Sequence, residues 1–294
     1  MNKFLIALLV SIATFGDGRI ITTTNNAASI VKLLVGDKAS VESLTLGPQD
    51  PHYLSSKPSF TVKLSRADLL ISIGMELEEG WLPLVTKGAR NPKILHGAKG
   101  SLVLGEYLKN PLEVPVNLSR AQGDVHAAGN PHFLLSPQRV LELLPVISTK
   151  LVETFPDLKE VVRVNRAKLE TELQNIVREM KSVKFHKNII MYHKTLSYFL
   201  NDMGIEVAGY LEPKPGIPPS AAHMLNIMKT IDEKNVKLVL VENYFSDSIA
   251  RKLQEKKDVR IYHIPVAAEG VEKVTTIVDL YRYLLNIVRV EEGK

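Results

Sequence analysis

Short apolar runs rich in β-branched residues alternate with amphipathic helical stretches along most of the chain, and one long charged helical stretch interrupts them. Four runs precede the interruption and four follow it, at residues 19–24, 41–44, 69–73, 93–95, 187–192, 206–211, 236–241 and 259–262. Strands that alternate with helices form mostly parallel sheets. The pattern therefore predicts two α/β lobes, with Asn25 and Asn26 capping the first helix and a last helix at 274–288.

The interruption is the amphipathic stretch at residues 157–181, directly after Pro156. A helix of this length spans about 37 Å, the width of a whole lobe. Another helix is predicted to begin at Ser136 and Pro137, since serine is a favoured cap and proline a favoured first residue. We therefore predict an α/β fold of two doubly wound lobes with parallel sheets, joined by one long backbone helix. The predicted boundaries are an N-terminal lobe at 19–136, a helical segment at 137–183 and a C-terminal lobe at 184–294.

The first 18 residues are typical of an export signal. Lys3 precedes the apolar run at residues 4–13, which is too short to span a bilayer because a spanning helix needs about 20 residues. A buried first strand or helix is the alternative. No later segment reaches about 18 apolar residues without charges. We therefore expect a signal peptide at 1–18 and a soluble mature protein in the periplasm.

The chain contains no cysteine among its 294 residues. This excludes disulfides, thiolate zinc sites, cysteine nucleophiles and a lipid anchor on an N-terminal cysteine. A bound metal must therefore use nitrogen and oxygen ligands. The net charge of +5 is spread along the chain and aromatic residues make up only 6%, so we expect no nucleic-acid partner.

Several of the histidines and glutamates stand where ligands gather in parallel sheets, at the carboxyl ends of strands. Four candidates directly follow predicted strands: His193, Glu212, Glu242 and His263. His52 lies in a proline-rich loop at 47–53, and His132 lies in the loop before Ser136. Three imidazoles from three loops, with a carboxylate nearby, would form a site suited to zinc.

Five motifs carry a family resemblance over nearly the whole predicted mature chain. In order, they are residues 47–53 (GPQDPHY), 67–82 (ADLLISIGMELEEGWL), 129–137 (GNPHFLLSP), 192–194 (YHK) and 240–242 (LVE). Together they resemble the zinc- and manganese-binding solute-binding proteins of bacterial ABC importers. The resemblance implies two α/β lobes that hinge little about a long helix, with one metal in the cleft between them.

By position, the resemblance implies His52 and His132 as ligands from the N-terminal lobe and His193 from the C-terminal lobe. His126 is a rival for the role of His132. The fourth ligand departs from the family pattern, because Ile264 stands before Pro265 where many relatives place an aspartate. The first candidate is Glu269, and the other candidates are Glu242, Glu212 and a water molecule. Relatives often carry a histidine-rich loop before the second ligand motif, but residues 120–124 (RAQGD) contain no histidine.

The predicted function is capture and delivery of a divalent metal. Zn²⁺ is favoured over Mn²⁺ as the transported ligand because imidazole nitrogen suits zinc better. The expected partner is an inner-membrane ABC permease, and the protein is expected to be a monomer and not an enzyme. Two alternatives remain: a metal-dependent hydrolase, against which stands the lack of a His-Glu-x-x-His motif, and a binding protein for an organic metal chelate.

Overall fold

Two four-stranded sheets form the centre of the protein in the computed structural model, which describes residues 18–115, 126–214 and 216–293. The predicted signal peptide at 1–18 lies outside the described residues except for Gly18. The first sheet contains β1 (Arg19–Thr22), β2 (Ser40–Ser43), β3 (Leu69–Ser72) and β4 (Ser101–Val103). The second contains β5 (Ile189–Met191), β6 (Val207–Tyr210), β7 (Leu238–Glu242) and β8 (Arg260–Ile264).

Both sheets are parallel throughout and share one spatial order. The strands run β2-β1-β3-β4 in the first sheet and β6-β5-β7-β8 in the second. Three of the central strands, β3, β5 and β7, are apolar except for one polar residue at the end of β3 and of β7, as is typical of parallel strands covered on both faces. All four positions of β3 are buried. The predicted α/β fold with two parallel sheets is therefore confirmed.

Nine α-helices surround the sheets in the described part of the chain: α1 (Asn25–Val35), α2 (Pro58–Ser65), α3 (Leu82–Ala89), α4 (Pro137–Thr154), α5 (Lys159–Ser182), α6 (Ser197–Asp202), α7 (Ala221–Glu233), α8 (Ser248–Gln254) and α9 (Ile277–Glu292). As predicted, α4 begins after Ser136, whose hydroxyl accepts a hydrogen bond from the Arg139 N–H at 3.0 Å. No helix among the described residues combines the length and the apolar character that crossing a bilayer requires.

The predicted long helix is α5, which has 24 residues. Its buried side chains recur at helical spacing and form one stripe: Val162, Leu169, Leu173, Ile176 and Met180. This stripe packs against α1, which follows β1, and also against α6 and α9 in the second half of the chain. The helix therefore links both halves of the fold, while the predicted domain boundaries stay a prediction.

Two local predictions are wrong. The run at 93–95 is not a strand, because Pro92 favours a helical start and the Asn91 side chain accepts the Lys93 N–H at 3.1 Å, which closes a short 3₁₀ helix at Pro92–Ile94. The fourth strand is β4 instead. The cap of α1 is Thr24 and not the asparagine pair, since its hydroxyl accepts the Ala27 N–H at 3.3 Å.

The asparagine pair after Thr24 instead connects the first helix to the loop after β8. Asn26 donates to the Val266 carbonyl at 3.0 Å and accepts from the Ala268 N–H at 2.9 Å. Close by, the backbone of Gly47 touches that of Glu269, so that a Cβ at Gly47 would lie 2.3 Å from the Glu269 carbonyl carbon. These contacts hold the two halves of the protein together beside the loop that carries His52.

Candidate metal site

Three histidines that are far apart in sequence converge near the carboxyl end of β5. The ligating nitrogens of His52, His132 and His193 all lie within 4.8 Å of one another. Their ring centroids are 5.0 to 5.7 Å apart, and all three rings are shielded from solvent to a large extent. We call these three residues the histidine cluster. The sequence-based expectation that these rings converge agrees with this geometry.

His52 is fixed by its own loop. The carboxylate of Asp50 accepts the His52 backbone N–H at 2.9 Å and lies 2.8 Å from the His52 Nδ1. The indole N–H of Trp81 donates to the Pro51 carbonyl at 2.9 Å. Burial raises the pKa of Asp50, but the hydrogen bonds and charge of His52 prevail and hold it below its usual value. A charged Asp50 accepts a hydrogen bond from the Nδ1–H of His52, which leaves the Nε2 lone pair of His52 for the cluster.

His132 is a buried ring of the cluster. Its backbone N–H donates to the Asn130 side-chain oxygen at 2.8 Å, while the Asn130 amide donates to the Lys194 carbonyl at 2.8 Å. One asparagine therefore ties the loop of His132 to the residue after His193. Burial, together with the charges of the neighbouring histidines, places the pKa of His132 well below its usual value. His132 is therefore neutral, as metal binding requires.

His193 lies two residues after the end of β5 and pairs with a buried carboxylate. Its Nδ1 lies 2.5 Å from Oε2 of Glu212, and Oε1 of Glu212 accepts the Gly216 N–H at 2.7 Å. Since both oxygens of Glu212 are occupied, this residue orients the imidazole and is not itself a ligand in this arrangement. The Nε2 of His193 is then the nitrogen that remains for a metal.

His126 contacts the histidine cluster through His52. Its Nε2 lies 3.2 Å from the His52 Nε2, and its Nδ1 lies 4.0 Å from Glu76. His126 does not replace His132, because His132 is in the cluster and His126 approaches from the side of His52. The structure therefore brings four imidazoles together where sequence analysis weighed two of them as rivals.

The carboxylate of Glu269, the first candidate for the fourth ligand, points away from the cluster. Its Oε1 pairs with the Lys32 ammonium at 3.2 Å, its Oε2 accepts from the Asn25 amide at 3.0 Å, and the side chain is 53% exposed. Its backbone has a φ of 63°, in the left-handed region. The structure therefore does not bring Glu269 together with the three histidines.

Glu242, another candidate, ends β7 and is completely buried. Neither of its oxygens has a hydrogen-bond partner among the described residues. Burial raises the pKa of Glu242 to about 8. Glu242 is not among the donors whose ligand atoms lie within 4.8 Å of one another.

The donor set fits a borderline-soft divalent cation. The Nε2 of His132 is buried without a hydrogen-bond partner among the described residues, and a buried imidazole nitrogen in this state is accounted for by a bound cation. A small cavity of about 50 Å³ borders His132, but neither His52 nor His193 lines it.

The fold and the cluster define a class: a two-lobed α/β binding protein with a histidine site where its halves meet. The family described as zinc-uptake complex component A, periplasmic, matches residues 20–289. The chain belongs to this family. The resemblance that the five sequence motifs indicated is therefore confirmed.

Individual relatives agree with this assignment. A putative metal-binding protein of Thermotoga maritima is 24% identical, and the match covers 98% of each chain. The zinc-binding lipoprotein AdcA of Streptococcus pneumoniae is 25% identical. That match covers 87% of this chain and 51% of AdcA. The solute-binding protein FpvC of Pseudomonas aeruginosa, solved in complex with Mn²⁺, shares the fold with a TM-score of 0.78, 21% identity and coverage of 94% and 99%.

Proposed function

We propose that this protein captures one divalent transition metal outside the cytoplasm and delivers it to an ABC permease, with His52, His132 and His193 as metal ligands. The single observation that carries the proposal is the approach of three imidazole nitrogens within 4.8 Å of one another. The family description supports both the zinc cargo and the periplasmic location.

Zinc is the favoured cargo because the buried donors are nitrogens. Imidazole suits zinc, whereas manganese prefers carboxylate, carbonyl and water oxygens. The carboxylates of Asp50 and Glu212 act on the histidine rings and do not point at the cluster centre. The manganese in FpvC keeps Mn²⁺ as the second candidate, since metal supply as well as intrinsic affinity decides which ion is bound in a cell.

Capture is favoured over catalysis at this site. A catalytic zinc keeps an open position for an activated water, and a nearby general base must be able to accept its proton. Here Asp50 and Glu212 are already held by histidine rings, so neither is available as that base. A larger cavity of about 1060 Å³ lies between α3 and β4, and no residue of the cluster lines it.

The proposal is tested by equilibrium dialysis of metal-stripped protein against Zn²⁺ and Mn²⁺, with elemental analysis and a competition titration. We expect one bound zinc per chain and tighter binding of zinc than of manganese. His132→Ala should weaken zinc binding by about 100-fold or more, since even the loss of a group that only hydrogen-bonds to a ligand costs 10–100-fold. The matched control is His96→Ala, because His96 is 74% exposed and pairs with Glu106. Wild-type protein that takes up neither ion would overturn the proposal.

A further inference from the structure

We infer that His126 is the fourth ligand of the metal, so that the loaded site holds four imidazole nitrogens and no carboxylate; this inference rests on the proposed function. The candidates drawn from sequence do not fill the fourth position. Glu269 is held by Lys32 and Asn25, and Glu212 is held by His193 and the Gly216 N–H. Among the described residues, neither oxygen of Glu242 makes a hydrogen bond, whereas the Nε2 of His126 lies 3.2 Å from the Nε2 of His52.

The distance between His126 and His52 is that of two ligands on one ion. Their Nε2 atoms are 3.2 Å apart. Two nitrogens bound to a tetrahedral zinc at 2.0–2.1 Å are about 3.3–3.4 Å apart. His126 lies outside the group whose nitrogens are within 4.8 Å of one another, so loading requires the four rings to draw in around the ion while the His52–His126 spacing stays nearly constant.

The His126 ring has the same orientation as two of the cluster rings, with Nδ1 on the side of a carboxylate and Nε2 on the side of the cluster. In His52 and His193, a carboxylate faces Nδ1 at 2.8 Å and 2.5 Å. In His126, Glu76 lies on the Nδ1 side at 4.0 Å, beyond hydrogen-bond distance, and Nε2 lies 3.2 Å from the Nε2 of His52. A carboxylate behind the ring is the usual outer partner of a metal-bound histidine, because it fixes the tautomer and makes the ring more basic.

Glu76 lies in a strained turn. Its position behind the His126 ring gives a functional reason for that strain. Met75 and Glu76 have φ angles of 52° and 60° and follow Gly74 at 76°. Left-handed backbone at non-glycine residues costs free energy and is concentrated at functional sites. The buried carboxylate of Glu78 holds the turn, since it accepts the N–H groups of Ile73 at 2.8 Å and Gly74 at 2.9 Å. From this turn, Oε2 of Glu76 reaches both His126 and the Ala128 N–H, the latter at 3.5 Å.

A site with four nitrogens and no carboxylate has a consequence for the choice of metal. Each oxygen donor replaced by imidazole moves the preference from manganese toward zinc. His126 therefore determines specificity as well as affinity. Without His126, a water oxygen takes the fourth position, and the ratio of zinc affinity to manganese affinity falls.

The test compares wild type with His126→Ala, Glu76→Gln and the exposed control His96→Ala, each stripped and reloaded with one equivalent of Zn²⁺. X-ray absorption at the zinc edge should show four imidazoles in wild type and three plus an oxygen in His126→Ala. Competition titrations should show about a 100-fold or greater loss of zinc affinity for His126→Ala, and a 10–100-fold loss with four imidazoles retained for Glu76→Gln. The ratio of zinc to manganese affinity should fall at least about tenfold in His126→Ala.

Two results would overturn the inference: three imidazoles in the wild-type spectrum, or a His126→Ala variant whose zinc affinity and spectrum equal those of wild type. Either result leaves the proposed function intact, provided that wild type binds zinc. Thermal melting of each metal-free variant establishes that the fold is retained. Co²⁺ loading gives a second readout, because a tetrahedral four-nitrogen site has a characteristic intense visible absorption that loss of His126 should alter.

Discussion

The Glu212 carboxylate lies 2.5 Å from Nδ1 of His193, and both groups are buried at the carboxyl ends of neighbouring strands, β6 and β5. This pair fixes the face that the His193 ring presents to the cluster. It also keeps the Glu212 charge close to the metal without direct coordination. Glu212 is therefore a positioning residue, and its substitution should weaken metal binding.

Glu212→Gln should weaken zinc binding by about 10–100-fold, the usual effect of losing an outer-shell partner. Glutamine can accept from Nδ1–H but carries no charge, so the ring becomes less basic while its orientation is largely kept. Competition titration measures the change, and Glu106→Gln, which affects the exposed pair with His96, is the control. An unchanged affinity would show that the Glu212 charge does not influence the metal.

Glu269→Gln should leave zinc affinity within about threefold of wild type, because the carboxylate is paired with Lys32 and Asn25. The stability change should be below about 1 kcal/mol, since exposed ion pairs contribute little. The same titration and a thermal melt measure both quantities. A loss of about 100-fold in affinity would return Glu269 to the ligand set.

Glu242 should contribute stability to the metal-free protein that is lost as pH rises from 4.5 toward 8. Its pKa is raised from 4.5 to about 8 in the folded state, so the native chain binds more protons than the unfolded chain across this window. Glu242→Gln removes this dependence. Between pH 4.5 and 7, the free energy of unfolding of wild type should therefore fall by about 3 kcal/mol relative to that of the variant. Denaturant unfolding in the presence of a chelator measures it. The exposed Glu255→Gln variant should keep the wild-type slope.

Gly47→Ala should destabilise the protein by about 1–3 kcal/mol, the usual cost of overpacking. The added Cβ would lie 2.3 Å from backbone atoms of Glu269, so one of the two loops has to move. Gly80→Ala is the control, because its nearest neighbour would be the His52 carbonyl oxygen at 3.9 Å. Equal melting temperatures for the two variants would contradict the close packing of these loops.

The convergence of His52, His132 and His193 could be predicted because it depends on a general rule: loops after parallel strands meet at one edge of a sheet. The long helix could be predicted from spacing and from Pro156. By contrast, the Lys93–Leu95 run is too short for periodicity to separate a strand from a helical turn, and Asn91 decides the outcome.

The side chains around the cluster could not be placed from sequence in the same way. Glu269 stands close in sequence to the position where relatives place an aspartate, but its left-handed backbone and its contact with Lys32, 237 residues away, direct it elsewhere. Glu76 and Asn130 act through contacts across distant segments. Such contacts depend on the assembled fold, and no local pattern reports them.

Because α5 is long, a small tilt of this helix moves its far end by a large distance. The helix has 24 residues and is therefore about 36 Å long. A tilt of only about 3° about one end displaces the other end by about 2 Å, which equals a whole zinc–nitrogen bond. A tilt of this size would separate donors that are held by the two halves of the protein, so that release does not require a large change of shape.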